Sequence, residues 1–367
     1  MKATLSQTKK TIQLLAGALI ILTVATSAQE RKPIVEGYPS DVLASLEVRD
    51  RARRNTPREM AGYSVQYVFT VINKWKGPNG LPPTVTVAFK GGDSALRQQI
   101  AEAATEWSKY AQITFDFKDP STGGFREWTP SDTQYRGDIR ISFDQAGYWS
   151  VVGTDSTDEI VRKPGQPSMN FGQFTRSLPL DWKTIVQHEF GHALGLQHEH
   201  QAPVGGCDAD WKWNDDPGYV PTTDAYGWYG PDGYGNKPGI YTLLGGYPNY
   251  WPKSQVDQNL RQLNNDMHAY DQGTFDKYSI MKYYFPESMF LQGEQSHCYS
   301  QENLAISTED QKGVEKWYPA PGQALSAIQN MQKAILSNLI LVKGLDPSTK
   351  QSLQLQLNKL AATQGKP

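Results

Sequence analysis

Cysteine is nearly missing from this sequence and histidine is scarce. Cys207 and Cys298 are the only cysteines in 367 residues, so a single intramolecular pairing is available and a disulfide-dense framework is excluded. The formal net charge is −2, which removes any bulk electrostatic case for nucleic acid or an anionic membrane as partner. Long apolar runs are absent beyond the first thirty residues, and no internal repeat is visible. Hydrophobic content of 38% and charged content of 20% are ordinary for a globular chain. Its 23 prolines and 32 glycines point to long, ordered loops on a compact scaffold.

The first thirty residues have their own composition. Lys2, Lys9 and Lys10 precede the apolar run "IQLLAGALIILTVA", and small residues follow at 26–28. That is the charged, apolar and cleavage pattern of a secretory signal over residues 1–28, with cutting after Ala28. The run is roughly 15 residues long, short of the ~20 that span a bilayer, and no cysteine at the cleavage point offers a lipid anchor. No stable membrane insertion is expected once the signal is removed. Export makes Cys207 and Cys298 candidates for a disulfide. Residues 29–70 carry the basic run "RDRARRN" at 49–55. It suits either a processing site that would release a pro-segment or a solvated charged linker.

From residue 84 the pattern becomes regular. "TVTVAFKGG" is an alternating, β-branched strand. "DSALRQQIAEAATEWSKY" follows, with Leu96, Ile100, Ala103, Ala104 and Trp107 at helical spacing and Asp93 or Ser94 as N-cap. "ITFDF" (113–117) and "GDIRISFD" (137–144) read as further strands, and "PSMNFG" as a short extended segment. "DWKTIVQHEFGHALG" is a second long helix, with Asp181 as N-cap and Gly195 at a left-handed C-terminal turn. An α+β layer is expected. Next comes a loop region running to about 275, in which eleven residues between 211 and 251 are Trp or Tyr. It is too long for an ordinary connection. "AISTEDQKGVEKWYP" is a helix opened by Ser307 and Asp310 as a capping box. Residues 321–367 read as a helical extension broken at "GLDPS".

Four of the six histidines lie between His188 and His200, in "HEFGHALGLQHEH". Four imidazoles that close would repel one another if charged, whereas a bound cation gives them a common purpose. On a helix, positions i and i+4 share a face, so His188 and His192 project together as two ligands of one ion. Neutral imidazole and a divalent ion of borderline softness point to Zn2+. Glu189 is placed to reach a metal-bound water as general base. A helix alone cannot deliver a third ligand six residues later, but a positive φ at Gly195 turns the chain back and brings His198 to the ion. Three protein ligands with an open position is the catalytic arrangement. His200 competes for the third place. In an extended segment it would point away from His198, and spacing favours His198.

The run His188–His198 resembles the metzincin zinc-binding motif, and "YSIMKY" (278–283) resembles its Met-turn. Within metzincins the astacin family is most similar, since its motif continues into His-Glu-His, as His198-Glu199-His200 does here. Its Met-turn reads Ser-Ile-Met-x-Tyr, matched by Ser279, Ile280, Met281 and Tyr283. The resemblance spans about residues 70–320 and implies a catalytic domain over 71–320. That domain would be a zincin-like fold with a twisted mixed sheet, an active-site helix and an irregular lower subdomain. It further implies Met281 as an apolar floor beneath the histidines, and Tyr283 as a zinc ligand that can swing to stabilise an oxyanion. "SMNFG" (168–172) is expected as an edge segment that binds substrate as an added antiparallel strand.

Departures from the family pattern are visible too. "QAPVGGCD" replaces the Arg- and Asp-rich continuation, which puts a latch between Glu199 and a mature N-terminus in doubt. Asp93 in "FKGGD" reads as a helix cap, not a pro-segment switch. A cysteine switch is excluded, because no cysteine precedes the histidines. The implied function is a secreted, zinc-dependent endopeptidase acting on protein or peptide substrates, with Glu189 and Tyr283 as catalytic groups. The alternative is an extracellular glycan- or protein-binding module with an inactive or latent zinc site.

Overall fold

Strands and helices alternate along the chain until a long, aromatic-rich stretch intervenes, and this order produces two packed halves. The computed structural model describes residues 37–54, 69–70, 73–78, 81–263, 270–271 and 273–320, with scattered helical positions between 336 and 358. The signal region and most of the C-terminal extension lie outside the described residues.

A helix, α1 (Ser40–Arg54), is followed by a short strand, β1 (Phe69–Thr70). Then come β2 (Thr84–Phe89), α2 (Ser94–Thr105), β3 (Thr114–Asp116), β4 (Ile139–Ser142), β5 (Tyr148–Ser150), β6 (Met169–Phe171) and the long helix α3 (Trp182–Leu194). The second half holds α4 (Ile240–Gly245), α5 (Lys253–Leu260), β7 (Tyr270–Asp271), paired with β1, and α6 (Thr308–Trp317).

The main sheet has the order β3-β2-β4-β6-β5. All its pairs are parallel except β5 with β6. β2 has a partner on both sides, and its early alternation gives way to the continuous buried run Val87, Ala88 and Phe89. α2 joins the parallel strands β2 and β3, and parallel strands need such a crossover. Its Leu96, Ile100, Ala103 and Ala104 are buried, and the Asp93 carboxylate accepts from the Leu96 amide at 2.8 Å to cap it. One expectation is overturned: 168–172 is not an edge. β6 is paired on both sides, so the outer strand next to it is β5.

α3 is buried at every residue from Val186 to Leu194. A helix buried all round has to satisfy its last carbonyls without water, and here each finds a donor. Gly195, with φ +114°, gives its amide to His192 O at 2.8 Å, and the Leu196 amide reaches Gly191 O at 3.1 Å. Trp75 Nε1 donates to Ala193 O and the Tyr318 hydroxyl to Leu194 O, both at 2.7 Å. Asp181 stands at the N-cap position, but its side chain makes no capping bond.

The stretch read as one long loop contains α4 and α5, which the sequence reading missed. They pack with Trp211, Phe285, Phe290 and the bridged Cys207–Cys298 pair into a second core. Trp211 is fully buried there, while Tyr226, Tyr234 and Tyr250 are exposed. The disulfide closes a separation of 91 residues. Among the described residues no helix is long and apolar enough to cross a membrane.

Tyr318→Phe deletes the donor to Leu194 O while keeping the ring in the core. An unsatisfied buried carbonyl costs about 1–3 kcal/mol, so the variant should unfold at lower denaturant with an unchanged slope. An unaltered midpoint would mean that water replaces the hydroxyl.

Candidate metal centre

His188 and His192 lie one turn apart on α3, and the turn at Gly195 returns the chain so that His198 faces them. His188 Nε2 is 3.2 Å from His192 Nε2, which is 3.0 Å from His198 Nε2. All three side chains are buried. Their outer nitrogens are spoken for: His188 Nδ1 meets Ile280 O at 2.6 Å, His192 Nδ1 meets Leu196 O at 2.8 Å, and His198 Nδ1 meets Gln201 Oε1 at 3.1 Å. The Gln201 amide is oriented by its own nitrogen, which donates to Gln258 O and Arg261 O.

These partners assign the tautomers. Each Nδ1 faces an oxygen that can only accept, so each carries the proton and each Nε2 is left with a lone pair. Three lone pairs aimed at one another across about 3 Å repel, and a cation between them removes the repulsion. The donor set, three imidazoles with no fourth histidine, cysteine or carboxylate in the cluster among the described residues, fits zinc in an open site.

His200 does not join the cluster, and the reason differs from the one the sequence suggested. Residues Glu199–Gln201 form a 3₁₀ turn, not an extended segment, so the His198 and His200 rings stack at 5.1 Å. His200 Nε2 is instead tied to Asn259 O at 2.9 Å, with the ring packed against Trp211 and Phe285. Glu189, beside His188 on α3, is buried. The Tyr283 ring lies 4.4 Å from that of His198 and 5.9 Å from that of His188.

Met281 is buried beneath α3 and sits so close to Gly191 that a Cβ there would fall 2.3 Å from the Met281 sulfur. Gly191 is therefore a site residue in its own right. Nothing in the local sequence singles it out.

The turn that carries Met281 is bolted in from both sides. Asp310 accepts from Ser279 Oγ at 2.6 Å and from the Ile280 amide at 2.9 Å, while also closing the capping box of α6 with Ser307. The Ile280 carbonyl then reaches His188, and the Met281 carbonyl accepts from the Glu199 amide at 3.0 Å. Asp310 thus positions the His188 imidazole through one peptide unit. Local sequence carried the cap and not this second role.

The Glu199 carboxyl accepts from the Asp276 amide at 2.8 Å. Burial pushes it up to about 8 from its ordinary 4.5, with Asp310 and Asp276 adding to the rise. Burial likewise raises Asp310. For Glu199 the folded chain holds the proton more tightly than the unfolded one. The stability this contributes is complete below about pH 4.5 and is lost as pH rises through about 8. In metal-free protein, Glu199→Gln should therefore gain on the parent in thermal melts as pH goes from 5 to 8. A difference that stays flat across that range would show that the carboxyl is not held protonated. Gly191→Ala should force Met281 aside and cost about 1–3 kcal/mol, read as a lower melting temperature.

No protein-family model matches the chain. It is 25% identical over 162 residues to zinc metalloproteinase nas-30 of Caenorhabditis elegans, covering 44% of this chain and 16% of that relative. The chain thus spans about a sixth of that relative's length. Among solved structures, myroilysin is 30% identical with a TM-score of 0.50, over 69% of this chain and 98% of the myroilysin chain. With the histidine cluster, the Met-turn and this coverage together, the chain belongs to the astacin-like metzincins, a family of zinc metalloproteases.

Proposed function

We propose that the chain is a secreted zinc-dependent endopeptidase. The observation that carries this is the convergence of three imidazole lone pairs, each ring locked by a partner on its far nitrogen, beside a buried glutamate on the same helix. Held by His188, His192 and His198, zinc supplies Lewis-acid activation of a water molecule and of the scissile carbonyl.

The chain's own groups do the rest. Glu189 takes a proton from the attacking water as its oxygen bonds to the carbonyl carbon. The Tyr283 hydroxyl donates to the carbonyl oxygen as negative charge builds there. Glu189 then passes its proton to the amide nitrogen, the carbon–nitrogen bond breaks, and an acid and an amine leave. Burial of Glu189 and Tyr283 keeps bulk water from competing for these hydrogen bonds. Peptides are the natural substrates, because an extended chain can add to a sheet edge through its backbone alone.

Secretion is supported by the signal pattern of residues 1–28 and by the Cys207–Cys298 bridge, since such bonds persist in oxidising compartments.

Glu189→Gln should retain zinc and lose on the order of 10²–10⁴-fold in turnover of an unfolded protein, the usual contribution of a positioned general base. Activity equal to the parent would remove Glu189 from the mechanism. His198→Ala should lose zinc in metal analysis, whereas His200→Ala should keep it. The opposite pair of results would make His200 the third ligand.

A further inference from the structure

The three imidazoles of the cluster are not held alike. His188 and His192 turn Nδ1 to backbone carbonyls, of Ile280 and Leu196, whose places the fold itself sets. His198 turns Nδ1 to a side chain, the Gln201 amide oxygen at 3.1 Å. A primary amide has an acceptor end and a donor end of nearly the same shape. Turned round, Gln201 would set an N–H against His198 Nδ1. The ring proton would then sit on Nε2, and the lone pair facing the other two histidines would be lost. His198 is therefore only as good a ligand as whatever keeps Gln201 from turning.

That restraint comes from the end of α5. Gln201 Nε2 donates to Gln258 O and to Arg261 O, both at 3.0 Å. A carbonyl can only accept, so two of them on one side fix the donor end of the amide there. Gln258 lies in the last turn of α5 and Arg261 is its C-cap. Carbonyls at a helix end have no partner within the helix, so these bonds satisfy both sides. Asn259 O, between them, accepts from His200 Nε2 at 2.9 Å, and the His200 ring lies 4.8 Å from that of Tyr283. One helix end thus holds the turn that carries His198 by two side chains.

The end of α5 has a seat of its own. Val256 and Leu260 are fully buried in the second core with Trp211. The Arg261 guanidinium lies over the Trp213 ring, 3.6 Å from its centre. It donates to the Tyr241 hydroxyl at 2.8 Å, to Asp257 at 3.1 Å and to Asp208 at 3.3 Å. The Gln262 amide reaches the second oxygen of Asp208 at 2.9 Å. Trp211, Trp213 and Tyr241 belong to the aromatic-rich stretch of 211–251, and Asp208 follows the bridged Cys207.

We infer that the C-terminal end of α5 is the anchor of the third ligand. Its carbonyls set the direction of the Gln201 amide, Gln201 sets which nitrogen His198 turns inward, and the aromatic-rich stretch is the seat of that anchor. Gln201 is a positioning residue, since it acts only through His198. The inference rests on zinc at the three histidines and not on what the site hydrolyses.

The test uses the full chain, with zinc and without it. Zinc affinity is measured by competition with a chelator, and the imidazole N–H resonances of ¹⁵N-histidine-labelled protein show which nitrogen of each ring carries the proton. Gln201→Met keeps the reach of the side chain and removes both of its polar ends. It should weaken zinc binding by about 10–100-fold, the usual cost of losing a partner behind a ligand. Of the three cluster rings, only His198 should change its resonance. Arg261→Met keeps the stem over Trp213 and leaves Gln201 in place, but frees the end of α5 from Asp208, Asp257 and Tyr241. The same resonance should move, with a smaller loss of affinity. Parent-like affinity in Gln201→Met, or a His198 resonance that stays put in either variant, would overturn the anchor. So would a shift of all three rings together, the mark of a general loosening. A parent chain that takes up no zinc would sink the metal-site reading instead, and its metal-free spectra would still decide whether Gln201 sets the proton of His198.

Discussion

Everything at this site depends on the end of one buried helix. α3 is buried at every residue from Val186 to Leu194, and its final carbonyls would be orphaned there without dedicated donors. Trp75 and Tyr318 arrive from widely separated points of the chain to supply two of them, and the turn through Gly195 supplies the others. The same bonds fix where the chain leaves the helix. His198 can close on His188 and His192 only because that exit is rigid, so the capping of the helix and the assembly of the histidine cluster are one event.

A second constraint acts from below. The Met-turn is not merely packed against the histidines; it is hydrogen-bonded to both segments that carry them and to the first turn of α6. Asp310 lies at the crossing of those bonds and is buried. Buried polar networks are stabilising when every member is satisfied and costly when one is not, so this junction tolerates little displacement. The result is a set of imidazoles whose orientation is fixed by the chain's own hydrogen bonds.

The outer edge of the sheet is covered by the chain itself. Gly37 and Tyr38 donate to two backbone acceptors of the outer strand β5, at Tyr148 and Ser150. An exposed sheet edge invites strand addition by any extended chain. Here α1 is seated beside that edge, with Val42 packed on Trp149, Val151 and Val161, and ion pairs from Asp41 to Arg162 and from Arg49 to the buried Asp155.

Much of the site was legible in the sequence because its rules are local. Two histidines four apart share a helix face whatever surrounds them, a glycine three residues on permits the reversal, and Asp93 and Ser307–Asp310 announce helix starts by spacing alone. Other features had no local signal. Which strand is outermost depends on neighbours far apart in sequence, so β5 and not 168–172 is the edge. α4 and α5 are too short for periodicity to stand out among aromatics. His198 and His200 are separated by a 3₁₀ turn and by the position of Asn259, not by strand alternation. Trp75, Tyr318, Gly191, the second role of Asp310 and the seat of α1 on Asp155 and Arg162 became visible only in three dimensions. The sequence by itself determined that His188 and His192 share one helix face and that the chain can turn back at Gly195, through the fixed geometry of a helix turn. Tertiary structure decided what holds those imidazoles in place, because that depends on contacts between residues that the chain brings together only by folding.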